Sequence, residues 1–296
     1  MRIENLSKSK DTPETKAKTG ETFKVGSGSS GPSAVLFDGI NIWVANYAIS
    51  TISKLNISDG SETGEYATGG KWPWSLAFDG ENIWIANVKS HNISKLKASD
   101  GSILGVFAVG KGPCGILFDG SYIWVANEYD GTVMKLDTVD GNIIATYKVG
   151  TLPYALAFDG KHIWVTNEYD RTVMKLNPSD GSIAGIYGTG KLPYAIVANR
   201  YNIWVANGGD DTVSKLKASD GGILETFTVG SRPRSLALEG DNLWVANYWG
   251  NNLMKLKASG GTLLEEYRIG RWPLGLAFDG EHIWVANLGD DTVTRI

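Results

Sequence analysis

A short motif, IWVAN or a close copy of it, occurs seven times in the 296-residue chain. The first two copies are 41 residues apart and later neighbours are 40 apart, so that the tryptophans of the motif are Trp43, Trp84, Trp124, Trp164, Trp204, Trp244 and Trp284. Each interval holds four short segments rich in β-branched and aromatic residues, separated by turn sequences. Repeats of about 40 residues with four strands each are typical of β-propeller blades. The sequence therefore predicts an all-β fold, a seven-bladed β-propeller.

The four segments have a constant order within a repeat. In residues 152–191, strand A is YALAF, strand B is HIWVTN, strand C is TVMKL and strand D is IAGIYG. The A–B turn and the C–D turn are each Asp-Gly in five repeats, and glycine supplies the positive φ that tight hairpins need. Strand B is apolar at consecutive positions, as in residues 83–86, which is typical of a strand buried on both faces. Each blade is thus predicted to be a four-stranded antiparallel sheet packed between two neighbours.

The two ends of the chain complement each other. The seventh repeat stops at Ile296 directly after strand C, whereas residues 21–26 (ETFKVG) resemble strand D of another repeat, residues 225–230 (ETFTVG). We therefore expect residues 21–26 to pair with residues 291–296 and to close the ring. The predicted domain is residues 21–296, after a solvated tail at residues 1–20, and its blades are 31–71, 72–111, 112–151, 152–191, 192–231, 232–271, and 272–296 with 21–26.

These features resemble a known class of propellers. The string IWVTN at residues 163–167, a proline opening each strand A and a glycine closing strand D are similar to the YVTN and NHL class of bacterial propellers. The chain is also similar to the streptogramin (virginiamycin B) lyase family, seven-bladed propellers with a P-x-G/A-I … IWFTE … N-K-I-G-R-I pattern. This resemblance covers about residues 21–296 and implies the fold and, as an activity, a β-elimination with a histidine base and a magnesium ion.

The residues that the lyase resemblance would require are replaced here. The family's histidines correspond to Arg234 and Leu274, and its acidic residue in the last blade corresponds to Leu288. Of the three histidines, His162 and His282 open strand B beside the A–B turns, and His91 alone is expected near the opposite face. A general base must lie within hydrogen-bond distance of its proton, so we do not predict a catalytic residue.

Chain direction sorts the loops onto two faces. In a four-stranded meander the D–A and B–C loops lie on one face, the top face, and the A–B and C–D turns lie on the other, the bottom face. The bottom turns are nearly uniform, whereas the repeats differ at the top, so a specific site is expected there. Aromatic residues that break the repeat fall in top loops, namely Trp72, Trp74, Trp249 and Trp272 with Tyr47, Tyr129, Tyr154, Tyr169, Tyr194 and Tyr248. They indicate a contact surface, and the alternative is that they cap neighbouring blades.

Two sets of equivalent positions are expected at the mouth of the central channel. The residues after each loop proline are Ser33, Trp74, Cys114, Tyr154, Tyr194, Arg234 and Leu274. Arg234, with Arg232 nearby, would suit an anionic ligand, or it is a loop arginine stacked on a neighbour. The residues four after the strand B tryptophan are Tyr47, Val88, Glu128, Glu168, Gly208, Tyr248 and Leu288. Glu128 and Glu168, with Asp130 and Asp170, would suit a hard cation or form a solvated acidic patch, and we favour the patch.

Two further features have structural interpretations. The last residue of strand B is asparagine in every repeat, which predicts a side-chain-to-backbone bond that shapes the B–C loop: Asn46, Asn87, Asn127, Asn167, Asn207, Asn247 and Asn287. The single cysteine, Cys114, excludes an intrachain disulfide and a cysteine-based zinc site, and we expect a buried apolar thiol.

The composition of the chain limits the classes of partner that it could bind. A net charge of −4 argues against a partner bound through bulk charge, so neither nucleic acid nor a membrane surface is predicted. The chain has no apolar stretch of the length that a membrane helix or a signal peptide needs. The compartment stays open, although the family resemblance favours an exported protein over a cytoplasmic one.

The sequence thus predicts a monomeric binding propeller without a cofactor. Its partner would be a protein, peptide or glycan bound on the aromatic top face by Trp72, Trp74, Tyr154, Tyr194, Arg232, Arg234, Tyr248, Trp249, Trp272, Glu128 and Glu168. One alternative is a lyase-like, magnesium-dependent elimination enzyme. Another is an engineered or recently amplified scaffold without a specific ligand, because blades share strings such as KASDG at residues 97–101 and 217–221.

Overall fold

The computed structural model describes residues 17–296, and the described residues form 29 β-strands in seven sheets. The predicted seven-bladed β-propeller is confirmed, because each sheet contains the four antiparallel strands of one blade. No helix in residues 17–296 is long and apolar enough to span a bilayer.

The strands follow the repeat closely. Blade 1 consists of β3–β6 (Pro32–Phe37, Asn41–Asn46, Thr51–Asn56, Glu62–Ala67). Blade 2 consists of β7–β10 (Pro73–Phe78, Asn82–Asn87, Asn92–Lys97, Ile103–Ala108). Blade 3 consists of β11–β14 (Pro113–Phe118, Tyr122–Asn127, Thr132–Asp137, Ile143–Lys148). Blade 4 consists of β15–β18 (Pro153–Phe158, Ile163–Asn167, Thr172–Leu176, Ile183–Gly188).

The remaining strands complete the ring. Blade 5 consists of β19–β22 (Pro193–Ala198, Asn202–Asn207, Thr212–Lys217, Ile223–Thr228). Blade 6 consists of β23–β26 (Pro233–Glu239, Asn242–Asn247, Asn252–Lys257, Leu263–Arg268). Blade 7 consists of β27–β29 (Pro273–Phe278, Ile283–Asn287, Thr292–Arg295) and β2 (Glu21–Lys24).

The ring closes as the sequence predicts. β2 pairs antiparallel with β29, Glu21 lying opposite Arg295 and Lys24 opposite Thr292. The Phe23 ring packs 5.8 Å from the ring of Trp284, so the joint also contributes to the core. The seventh sheet is therefore built from both ends of the chain.

A short strand lies within the segment that the sequence assigned to the tail. β1 (Lys18–Thr19) pairs in parallel with β26 on the outer edge of blade 6, although both of its residues stay exposed. Lys18 Nζ also contacts Glu265 at 3.0 Å. Two exposed residues of the segment that the sequence assigned to the tail thus extend a sheet, and residues 1–16 lie outside the described residues.

The core lies between the blades, around the strand B tryptophans. Trp84 is fully buried and packs with Ile123, Val125 and Leu136 of the next blade. Its indole N–H donates to Asp79 of the A–B turn at 2.7 Å, and Lys95 Nζ lies 5.3 Å from its ring centroid. The same ammonium group donates to a C–D turn carbonyl of blade 3 at 2.7 Å, and this pattern ties neighbouring blades together.

The asparagine that ends strand B was predicted to bond to the backbone of the B–C loop. In the structure its side chain bonds mostly to other side chains. Asn46 Nδ2 donates to the hydroxyls of Thr51 and Ser53, at 3.1 and 2.8 Å. In blade 4 the amide oxygen of Asn167 accepts the N–H of Gly150 at 3.1 Å. A Cβ at Gly150 would lie 2.5 Å from Asn167 Cγ, so the glycine that follows strand D is required by this close approach. Six of the seven asparagines make such side-chain bonds, whereas the side chain of Asn247 has no hydrogen-bond partner within residues 17–296.

Candidate functional site

The top loops are held to one another by backbone hydrogen bonds. The N–H of Glu128 donates to the carbonyl of Gly112 at 2.9 Å, and that of Glu168 donates to Leu152 at 2.9 Å. The residue before each loop proline has a positive φ. At Leu152, for example, φ is 53°, a value that few residues other than glycine adopt readily. Trp72, Arg232 and Trp272 occupy the same left-handed position in their blades, with φ of 61°, 53° and 56°. The backbone therefore determines where the side chains of both loops point.

A cavity of about 320 Å³ lies at the top of the channel, and we call it the mouth cavity. Its walls come from six blades: Tyr47, Trp72, Trp74, Val88, Cys114, Glu128, Tyr129, Tyr154, Glu168, Tyr194 and Arg234. Below it the channel narrows to a cavity of about 220 Å³ lined by the A strands of all seven blades. The mouth cavity is the place where most of the predicted site residues meet.

Seven of the eleven predicted ligand-binding residues line the mouth cavity, namely Trp72, Trp74, Glu128, Tyr154, Glu168, Tyr194 and Arg234. The other four lie beside it in stacked pairs. Arg232 places its guanidinium carbon 4.2 Å from the ring centroid of Trp249, and the rings of Tyr248 and Trp272 stack at 6.1 Å. Trp249 and Trp272 are 60% and 46% exposed, so they extend the aromatic surface outward from the cavity.

Arg234 is held by aromatic side chains rather than left free for a ligand. Its guanidinium carbon lies 3.8 Å from the ring centroid of Tyr194 and 5.4 Å from that of Tyr248. Its Nη1 donates to the hydroxyl of Tyr154 at 3.1 Å. Its buried Nε has no hydrogen-bond partner within residues 17–296. This arrangement matches the alternative of an arginine stacked on its neighbours.

Glu128 and Glu168 are half-buried and lie in the same cavity wall. Burial raises the pKa of both carboxyl groups, and the negative charge of Glu168 raises the pKa of Glu128 further. The positive charge of Arg234 opposes both shifts without cancelling them. The pair therefore carries negative charge that its surroundings only partly compensate.

The four-carboxylate cation site considered from the sequence does not form. Asp130 Oδ2 accepts the N–H of Lys111, and Asp170 Oδ2 accepts that of Thr151, each at 2.7 Å, so both aspartates serve the loop backbone. Across the described residues, 17–296, no group of three or more histidine, cysteine or carboxylate side chains has the geometry to hold a metal ion. The two aspartates are therefore not free to join Glu128 and Glu168 around a shared cation.

Cys114 and the histidines are placed largely as expected. The Cys114 thiol is buried and donates to the carbonyl of Pro153 at 3.2 Å, and burial raises its pKa well above the usual range. His91 is near the top, where its Nδ1 accepts the N–H of Gly112 at 3.1 Å, but it does not line the mouth cavity. His162 and His282 lie beside bottom turns, close to aspartates.

Four wall residues were not included in the predicted site: Tyr47, Val88, Cys114 and Tyr129. Tyr47 and Val88 lie four residues after the strand B tryptophan, at the same loop position as Glu128 and Glu168, and Tyr129 lies five residues after it. The Tyr47 ring lies 5.2 Å from that of Trp72 and 5.6 Å from that of Trp74. The sequence placed Tyr47, Val88 and Cys114 at the channel mouth and Tyr129 among the top-loop aromatic residues, but none of the four was included in the predicted binding set.

Comparison with known proteins supports the fold and leaves the activity open. No protein-family model matches the chain, and neither does any curated protein. Among solved structures, virginiamycin B lyase from Staphylococcus aureus superposes with a TM-score of 0.81 at 22% identity, over 93% of this chain and 97% of that one. A streptogramin B lyase gives 0.80 at 20% identity over 93% and 96%.

A third neighbour has a different kind of activity. Hydrazine synthase from Kuenenia stuttgartiensis gives a TM-score of 0.77 at 17% identity, over 92% of this chain and 97% of that one. One fold carries many functions, so similarity at this level of identity establishes architecture alone. The chain is a seven-bladed β-propeller that is similar in structure to the streptogramin lyases, as its repeat motifs predict.

Proposed function

We propose that this propeller is a binding protein that takes part of a protein, peptide or glycan partner into the mouth cavity. The observation that carries the proposal is the cavity itself, which combines aromatic walls, two carboxylates and one guanidinium on the face where the blades differ. Ligand sites are typically concave and mostly apolar, with a few convergent polar groups. The mouth cavity has this composition.

The size of the cavity indicates how a partner would bind. At about 320 Å³ it lies at the lower end of the range of small-molecule sites, so it suits one side chain or one small group. The rest of the partner would contact exposed rings around the cavity, such as Tyr129, Trp249 and Trp272. Tryptophan and tyrosine are enriched among residues that dominate binding energy.

The experiment is a ligand-observed NMR screen of a mixed library of short peptides, oligosaccharides and small fragments. Hits are retested on Trp74→Ala, which removes a cavity wall, and on Tyr201→Ala, which removes a ring that is 71% exposed in the A–B turn of blade 5. We expect hits that Trp74→Ala loses and Tyr201→Ala keeps. Hits that survive both substitutions, or a library without hits, would contradict the proposal and favour a scaffold without a specific ligand.

Elimination of the streptogramin type is the alternative, favoured by the structural similarity to two lyases. Against it, no histidine of the described residues lines the mouth cavity. The test is incubation with quinupristin, which was crystallised with an inactive virginiamycin B lyase, in the presence of Mg²⁺. A linear product of unchanged mass would establish the lyase, and intact quinupristin would reject it.

A further inference from the structure

We propose that the mouth cavity selects an aliphatic ammonium group and binds it at Glu128 and Glu168 against the aromatic wall. This inference rests on the proposed function and specifies the chemical class of the bound group. It follows from the charges, the rings and the size of the cavity, taken in turn.

The charges of the cavity favour a cation. Among its wall residues, Glu128, Glu168 and Arg234 are charged at neutral pH and sum to one negative charge, while the cations Lys89 and Arg232 lie outside the wall, Lys89 on Trp72 and Arg232 on Trp249. The salt bridges between described residues all lie elsewhere, so neither glutamate is neutralised by a direct ion pair within residues 17–296. A half-buried carboxylate without such a partner carries a desolvation cost that a bound ammonium group would offset.

The aromatic rings of the cavity suit the same group. Tyr47, Trp72, Trp74 and Tyr129 line the cavity, and the faces of such rings attract ammonium groups. The chain itself provides an example, because Lys89 Nζ lies 4.4 Å from the ring centroid of Trp72. An ammonium group is therefore already accommodated on one of these rings, at the rim of the cavity.

An anion is a poorer candidate, although Arg234 is cationic. Its Nη1 donates to the Tyr154 hydroxyl and its guanidinium carbon lies 3.8 Å from the Tyr194 ring centroid, so an anion would have to share the group with these contacts and reach the buried Nε, which has no partner within residues 17–296. Glu128 and Glu168 would also repel it. The volume of the cavity suits an alkyl chain ending in an ammonium group, such as a lysine side chain, and the ligand source can be a peptide or a free amine.

The experiment compares probes of one shape and different charge. Pentylammonium, 1-pentanol and pentanoate are titrated into the protein and followed by NMR shifts, together with Nα-acetyl-lysine-N-methylamide as a peptide-borne ammonium group. The variants are Glu128→Gln and Glu168→Gln, and the matched control is Glu81→Gln, an exposed glutamate of a bottom turn. Thermal unfolding of each variant shows that the fold is retained.

We expect pentylammonium to bind more tightly than 1-pentanol, and each cavity variant to weaken it about tenfold while Glu81→Gln leaves it unchanged. Equal binding of the alcohol, lost in Trp74→Ala, would overturn the inference and leave the proposed function intact. Preference for pentanoate, or no probe at the cavity, would also overturn the inference. If the lysine derivative matches pentylammonium the group can be peptide-borne, and if it is rejected the ligand is a free amine; both results support an ammonium site.

Discussion

Replacing Asp119 with alanine should destabilise the propeller by more than its position in a turn suggests. Asp119 Oδ1 accepts the backbone N–H groups of Ser121 and Tyr122, each at 2.8 Å, and Oδ2 accepts the indole N–H of Trp124 at 2.7 Å. Trp124 is fully buried between blades 3 and 4, so the substitution removes the acceptor of a buried indole N–H. One carboxylate thus accepts hydrogen bonds both from the backbone of the turn and from a tryptophan of the core.

The expected cost can be estimated bond by bond. A buried donor left without an acceptor costs about 1–3 kcal/mol, and each turn bond contributes about 0.5–1.5 kcal/mol, partly recovered by water. We therefore expect Asp119→Ala to lower the free energy of unfolding by about 3 kcal/mol. The assay is chemical denaturation of variant and wild type, supported by thermal unfolding.

Two comparisons isolate the contribution of the indole bond. Asp140→Ala removes a turn carboxylate whose Oδ1 accepts the N–H of Asn142 at 3.0 Å and which contacts no tryptophan, so it should cost about 1 kcal/mol. Blade 5 has Asn199 at the equivalent position, and there Trp204 donates instead to the carbonyl of Ala258 at 3.1 Å. Equal losses for Asp119→Ala and Asp140→Ala would refute the reasoning.

Three further predictions follow from the loops and the cavity. Burial raises the pKa of Glu128 in the folded state, so folding is penalised while this carboxyl is ionised. Glu128→Gln should therefore unfold at a higher temperature than wild type at pH 7. In thermal scans at successively lower pH, down to pH 4, this difference should disappear as the wild-type carboxyl becomes protonated. Gly150→Ala should cost about 1–3 kcal/mol in denaturant melts because its Cβ would overlap Asn167, whereas Gly188→Ala, with no atom within 4 Å, should cost less than 1 kcal/mol. Cys114 should react with a thiol reagent such as Ellman's only on unfolding, because it is buried with a raised pKa; rapid reaction in buffer would contradict its placement.

Much of the fold could be derived from the sequence because one motif repeats in register. The spacing of the tryptophans, the uniform turns and the complementary chain ends determine the number of blades and the closure of the ring. β1 escaped prediction because Lys18–Thr19 has no apolar pattern, and it pairs through its backbone at an open sheet edge. A periodic pattern of apolar residues indicates which side chains are buried, but it does not predict an exposed strand that pairs only through its backbone at a sheet edge.

The site was predicted in part, for a related reason. The position after each loop proline brought Trp74, Tyr154, Tyr194 and Arg234 into one set, and these do line one cavity. The role of each charged side chain depends on its conformation in the loop, which the sequence does not determine. The sequence therefore did not reveal that Asp130 accepts a backbone N–H of its own loop pair while Glu128 and Glu168 line the cavity. For Arg234 the sequence did offer stacking on a neighbour as one interpretation, but it did not identify Tyr154 and Tyr194 as the partners.

The most direct test of the proposed binding site is a crystal structure of the protein soaked with pentylammonium. Our account predicts density inside the mouth cavity, with the nitrogen within hydrogen-bond distance of Glu128 or Glu168 and the alkyl chain against Trp74. Density for the probe on the bottom face or along the outer strands, with water alone in the mouth cavity, would contradict it.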